Sequence, residues 1–194
     1  MSVQTIAVLG ARSLGKGIAC AAALGGYRTI LEDMSAATLD RGLAWIRDSL
    51  ENAVARGEMT PRARDAALGR VSTMRTVEDA CREAHLVIEA LPEEMELKIE
   101  IFTLLDKFAR PGAIFASTAE SLSVTEMASV TVCEDRCVGM RFSTPLAEAK
   151  RLEIVRGRET SEETVAACRE VGQRMGMDVV VVRESPAGRE TPSR

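Results

Sequence analysis

The sequence predicts an α/β fold, a doubly wound and mainly parallel sheet with helices on both faces. Three observations carry this expectation. Short β-rich runs alternate with longer segments whose apolar residues recur every three or four positions. The first such run passes directly into a glycine turn and a helical pattern. The chain has 194 residues, 46% of them hydrophobic, which is enough for one substantial core and the usual size of one domain.

Taken in order, the predicted strands are Thr5 to Leu9, Thr29 to Glu32, Leu86 to Glu89, Ile114 to Ser117, Cys137 to Met140, Leu152 to Val155 and Val179 to Val182. The predicted helices are Leu14 to Leu24, Ala36 to Ala55, Arg62 to Leu68, Glu94 to Phe108 and Thr164 to Met175. Several helix starts carry their own chemistry. Thr60 before Pro61 is an N-cap with proline at the first helical position, and Ser123 with Glu126 fits a capping box. Ser161, followed by Glu162 and Glu163, is a further cap that suits the helix dipole. Residues 1–183 are expected to form one domain. Residues 184–194 are polar, contain Pro186 and Pro192, and lack apolar periodicity, so they read as a flexible tail.

Composition narrows the function classes. The 25 Lys and Arg against 29 Asp and Glu leave a net charge of −4 with no long block of either sign. Four Phe, one Trp and one Tyr are too few to stack bases, so no nucleic-acid partner is expected. Five scattered cysteines, an odd number, point to a reducing compartment. With Cys133 and Cys137 as the only close pair and His85 as the sole histidine, no metal site is expected. No run approaches the ~20 apolar residues of a membrane span. The start lacks the pattern of a signal peptide, and a cytoplasmic location is expected.

The strongest motif is Ile6-Ala7-Val8-Leu9-Gly10-Ala11-Arg12-Ser13-Leu14-Gly15, a buried strand entering a tight turn that opens a helix. In the G-x-G-x-x-G fingerprint the first glycine makes the turn, the second admits the pyrophosphate and the third lets helix pack on strand. Gly10 and Gly15 fit the first and third roles. Arg12 stands in the second, where its side chain either blocks the pyrophosphate or offers it a guanidinium. Asp33 follows the second strand, 18 residues past Gly15, where an acid hydrogen-bonds the adenosine ribose and disfavours a 2′-phosphate. Loop and acid together predict a Rossmann-type nucleotide-binding domain preferring NAD to NADP. Taken singly, the loop could be an unliganded strand-to-helix turn and Asp33 a helix cap.

From about Ile6 to Arg183 the sequence resembles the NAD-binding domain of the L-3-hydroxyacyl-CoA dehydrogenases, including bacterial 3-hydroxybutyryl-CoA enzymes. The resemblance rests on the opening strand and loop, on Leu31-Glu32-Asp33, and on Leu86-Val87-Ile88-Glu89-Ala90-Leu91-Pro92-Glu93. Ser121-Leu122-Ser123-Val124-Thr125-Glu126, Val138-Gly139-Met140 and Leu152-Glu153-Ile154-Val155-Arg156-Gly157 extend it. It implies hydride transfer between NAD and carbon 3 of a hydroxyacyl-CoA, in the setting of fatty acid metabolism. It also implies cofactor contacts from Gly10, Arg12, Leu14 and Gly15 in the loop, from Asp33, and from Glu93 and Lys98. Glu93 and Lys98 read equally well as solvated charges at a helix start.

The catalytic positions match the family less well. Where the family has a general-base histidine this chain has Arg141; where it has a serine and an asparagine, Glu120 and Thr144 stand; the carboxylate that orients the base remains as Glu153. Arginine stays protonated near neutrality and cannot abstract a proton. Glu120 is a substitute base in principle, but a neighbouring cation lowers its proton affinity. Arg141, Glu120 and Glu153 are therefore expected to lie together, with Arg141 paired to a carboxylate. His85, at the opposite end of its strand, is not expected to be catalytic. The family's helical second domain, which completes the acyl-CoA site and forms the homodimer, would begin near Ser185-Pro186-Ala187-Gly188, so half of the substrate site is expected to come from a helical partner or to be missing. Two readings stay open, an NAD-dependent dehydrogenase impaired as a lone chain and a non-catalytic NAD-binding or partner-binding module. A truncated fragment is the third.

Overall fold

The computed structural model describes residues 2–184 and the backbone of residues 191–192. The chain runs β1 (Thr5–Leu9), α1 (Ser13–Leu24), β2 (Arg28–Glu32), α2 (Ala36–Ala55), α3 (Pro61–Leu68), β3 (Val71–Met74), α4 (Val77–Cys81) and β4 (Leu86–Glu89). It continues through α5 (Met95–Phe108), β5 (Ile114–Ser117), α6 (Val124–Ala128), β6 (Cys137–Phe142), α7 (Leu146–Ala149), β7 (Arg151–Arg156), α8 (Glu162–Arg174), β8 (Asp178–Arg183) and β9 (Thr191–Pro192). A 3-10 turn at Glu134–Arg136 leads into β6.

The described strands form one sheet in the order β3-β2-β1-β4-β5-β6-β7-β8-β9. From β3 to β6 neighbouring strands are parallel; β7 is antiparallel to β6, β8 parallel to β7, and β9 antiparallel to β8. The chain builds outward from β1 to β3, then returns to the other side of β1 to add β4. That reversal opens a crevice at the C-terminal ends of β1 and β4, the place where such sheets take ligands.

Alternation along the buried strands divides the interior into two layers. Ile6 and Val8 pack with Ile18, Leu31, Ile46 and Leu50 on one face. Ala7 and Leu9 pack with Ile30, Val87, Phe102 and Leu105 on the other. Covered on both sides, the central strands read as unbroken apolar runs. The predicted caps form: Thr60 Oγ1 accepts from Ala63, Ser123 Oγ from Glu126, and Ser161 Oγ from Thr164.

Four elements go beyond the sequence-based expectation: β3, α4, the short α7 and, inside the stretch expected to be a tail, β9, which pairs antiparallel with β8. β3 is half-buried and pairs only with β2, so Ser72 and Thr73 replace the apolar run that marks an inner strand. α4 spans five residues, too short for a helical period to show. Glu184, first residue of the expected tail, donates its N–H to the Arg156 carbonyl at 2.8 Å. Residues 185–190 and 193–194 of that tail lie outside the described residues. All five cysteines are buried free thiols. No helix among the described residues is long and apolar enough to cross a membrane, and no group of three potential metal ligands occurs among them.

Candidate cofactor and substrate site

The turn after β1 shows why its glycines are needed. Gly10 has φ +93°, a conformation glycine adopts without steric cost, and a Cβ there would stand 2.9 Å from the Ala90 carbonyl oxygen. At Gly15 a Cβ would stand 1.7 Å from the Gly10 carbonyl oxygen, so no side chain fits between helix and turn. Arg12, the N-cap of α1, has φ −76° and ψ −164°, open to any residue, and its side chain is exposed. The arginine therefore leaves the loop's backbone unstrained. Among the described residues its guanidinium has no hydrogen-bond or ion-pair partner. Leu14 lies one residue before Gly15, half-buried in the first turn of α1, which contains no acidic residue to oppose an anion at that helix end.

Asp33 leaves β2 beside this loop. Its Oδ2 accepts the Ala11 N–H at 3.1 Å and its Oδ1 accepts the Ser35 N–H at 2.9 Å, which ties the turn to the start of α2. The preceding residue, Glu32, is buried. Burial and the adjacent Asp33 push its carboxyl up to about 7, against an opposing backbone hydrogen bond from Gly10 and with a further upward push from Glu78.

Beneath the second crevice loop lies a buried ionic network. Lys98 Nζ donates to both carboxylate oxygens of Glu89 at 2.8 Å, and both side chains are fully buried. The Leu91 N–H donates to Glu89 Oε1 at 2.6 Å and Ser117 Oγ to Oε2 at 2.7 Å. The Ala119 N–H in turn donates to Ser117 Oγ at 3.2 Å. Lys98, expected at the cofactor, thus has its ammonium committed to Glu89, and the network joins the ends of β4 and β5 to α5. Glu93 Oε1 accepts the N–H groups of Glu120 and Ser121 at 2.9 Å and that of Leu122 at 3.4 Å. Glu93 is therefore the acceptor for the turn after β5, as well as a side chain at the crevice mouth.

Of the positions expected to be catalytic, Arg141 reaches this turn. Arg141 on β6 faces Glu153 on β7 as direct register partners, which places both side chains on one face of the sheet. Arg141 Nε donates to the Ala119 carbonyl at 2.9 Å, next to Glu120. Glu153 accepts from Arg151 at 2.7 Å. The Ala119 carbonyl and Arg151 are partners that sequence reasoning did not name. Glu120 and Thr144 are exposed. His85 is at the far end of the sheet, where its Nδ1 accepts the Thr5 N–H at 3.3 Å; burial and Arg110 hold its pKa below the ordinary value.

Glu89, Ser117 and Glu184 were not singled out from the sequence. A charged residue closing the apolar run Leu86-Val87-Ile88-Glu89 was the available signal, since a buried carboxylate needs a partner.

A parallel sheet that reverses at β1, a glycine turn that no Cβ could enter, and an acid bonded to that turn define a dinucleotide-binding domain. NAD fits the cradle: Gly10 and Gly15 keep its backbone clear, and the open end of α1 lies at the turn. A family model for the NAD-binding domain of 3-hydroxyacyl-CoA dehydrogenase matches residues 5–185, and the chain belongs to this family of oxidoreductases, whose cofactor is NAD. The probable 3-hydroxybutyryl-CoA dehydrogenase of Bacillus subtilis is 35% identical over 186 residues, covering 96% of this chain and 64% of that protein. The mitochondrial hydroxyacyl-coenzyme A dehydrogenase of Sus scrofa is 33% identical over 190 residues, covering 95% and 60%. The crystal structure of (S)-3-hydroxybutyryl-CoA dehydrogenase from Ralstonia eutropha superposes with a TM-score of 0.91 at 32% identity, covering 96% of this chain and 65% of that one. The chain thus spans slightly under two thirds of the length of these relatives.

Proposed function

We propose that this chain holds NAD in the manner of a 3-hydroxyacyl-CoA dehydrogenase domain but transfers hydride poorly as a lone chain. The observation that carries this reading is Arg141, a permanent cation at the position of the family's general base, with its Nε on the Ala119 carbonyl. NAD supplies the hydride acceptor for oxidation of a 3-hydroxyacyl-CoA to the 3-oxo thioester. Gly10, Leu14 and Gly15 would line the approach to its pyrophosphate, Arg12 would provide a cation there, and Asp33 would accept from the adenosine ribose. Glu93 borders the nicotinamide end, and Lys98 acts beneath it by holding Glu89. Around the reacting carbon, Glu120, Arg141, Thr144 and Glu153 orient or polarise the substrate, and none of them is poised to remove the hydroxyl proton.

A second reading, a non-catalytic NAD-binding or partner-binding module, is favoured by the same change at Arg141. A helical partner chain or homodimer is part of the proposal. The buried, unpaired thiols support a cytoplasmic location. Residues 1–183 are proposed as the domain; of the stretch 184–194 expected as its tail, Glu184 and Thr191–Pro192 pack against that domain. Calorimetric titration tests the cofactor assignment. NADH should bind more tightly than NADPH, and Asp33→Ala should weaken NADH about tenfold and narrow the preference, as loss of a hydrogen bond to a charged acceptor requires. Equal affinity for the two dinucleotides in the wild type would remove Asp33 from the ribose.

A further inference from the structure

The segment Glu120 to Glu126 leaves the sheet after β5 and has little regular backbone pairing, yet its amides are almost all engaged. Glu93 Oε1 takes the N–H groups of Glu120, Ser121 and Leu122. Ser123 Oγ takes that of Glu126 at 3.1 Å. The two remaining donors of the first turn of α6 go to a residue far away in sequence. Glu184 Oε1 accepts the Val124 N–H at 2.5 Å, and Glu184 Oε2 accepts the Thr125 N–H at 3.1 Å. Thr125 Oγ1 donates to the same carboxylate and accepts the Arg158 N–H at 2.9 Å.

We infer that Glu184 is a positioning residue for the substrate side of the site, acting with Glu93 as the second of two carboxylates that fix the segment carrying Glu120. Orphan N–H groups at a helix start need acceptors, and a carboxylate there gains both the hydrogen bonds and the dipole. Glu184 is held in place by its own N–H on the Arg156 carbonyl, directly after β8. Its carboxylate therefore ties the point where the chain leaves β8 to α6. The turn ahead of α6 is pinned by Glu93 on one side and, through the Ala119 carbonyl, by Arg141 on the other. Loosening α6 at Glu184 removes one of three anchors from a segment only seven residues long. The turn bearing Glu120 then loosens with it, and a displacement of Val124 or Thr125 reaches Glu120 through four or five bonded residues.

This inference rests on the proposed placement of Glu120 at the substrate, but its test does not require bound NAD. Amide hydrogen exchange, read residue by residue by NMR on the full 194-residue chain, should show about tenfold faster exchange at Val124 and Thr125 in Glu184→Ala. The decisive expectation lies further along: exchange at Glu120, Ser121 and Leu122 should also rise, by about threefold or more, although their acceptor Glu93 is untouched. Glu184→Asp should restore most of the protection, and Glu184→Gln, which keeps one carbonyl acceptor, should fall between. Faster exchange confined to Val124 and Thr125 would reduce Glu184 to a local helix cap and overturn the inference, as would unchanged exchange throughout. Should Glu184→Ala fail to fold, the same comparison between the two sets of amides is made with Glu184→Gln. Failure of the wild type to bind NADH in a parallel titration would sink the cofactor reading while leaving the exchange result to decide this one.

Discussion

The two sides of the crevice have diverged to different degrees. On the β1–β2 side the turn keeps Gly10 at φ +93°, Gly15 packed so closely that a Cβ would stand 1.7 Å from a carbonyl oxygen, and Asp33 on the Ala11 N–H. On the β5–β7 side the backbone frame is equally regular, while the proposed reading has three of the four side chains that do chemistry in the family exchanged. The difference shows what each side depends on. Cofactor recognition is written in backbone geometry that the fold itself requires, so changing Gly15 costs the fold as well as the ligand. Proton transfer is written in side chains projecting from an intact sheet, where Arg141 finds an acceptor in the Ala119 carbonyl without disturbing the β6–β7 register.

The largest expected effect attacks the first half of this contrast. Gly15→Ala should lower NADH affinity at least about a hundredfold or unfold the domain, because a displacement on the order of 1 Å already costs that much in a positioned site. Near-normal binding and stability in that variant would show that the turn tolerates side chains and would erase the contrast.

Next in size is the buried network under the loop. Lys98→Met leaves Glu89 as an uncompensated buried charge and should destabilise the fold by about 3 to 5 kcal/mol in a denaturant melt. The double variant Lys98→Met, Glu89→Gln should recover much of that loss. A loss confined to NADH affinity, with stability unchanged, would place the Lys98 ammonium at the cofactor after all.

A smaller, pH-dependent effect belongs to Glu32. Its folded-state carboxyl is raised to about 7 from 4.5, so between those values the native state binds more protons than the unfolded one. The stability this group permits is full below about 4.5 and is lost as pH rises through 7. Glu32→Gln should therefore stabilise the protein at pH 8, by about 1 to 3 kcal/mol, and change it little at pH 4. Stabilisation that is equal at both pH values would mean that packing, not charge, sets the difference.

Much of this was legible in the sequence. The unbroken run Ile6-Ala7-Val8-Leu9 can only be a strand covered on both faces, and the spacing of Gly10, Gly15 and Asp33 announced the loop and its acid. Caps at Thr60, Ser123 and Ser161 were readable because one side-chain oxygen three residues before an amide is a local pattern. Edge strand β3 escaped because an edge needs only one apolar face, and Val71-Ser72-Thr73-Met74 supplies little more. The partners of the site residues also escaped. Whether Lys98 meets the cofactor or Glu89, and whether Glu184 belongs to a tail or to the start of α6, depends on contacts across 9 and 60 residues, which no local spacing encodes.

The proposed function has two parts, cofactor binding retained and proton transfer lost. NADH titrated into the wild-type chain and followed by its fluorescence, with acetoacetyl-CoA added at saturation, tests both parts in one cuvette. The wild-type chain should show saturable NADH binding and no loss of NADH above the uncatalysed rate once acetoacetyl-CoA is present. Steady, enzyme-dependent consumption of NADH, abolished by Glu120→Gln, would contradict the second part and make Glu120 the proton-transfer group.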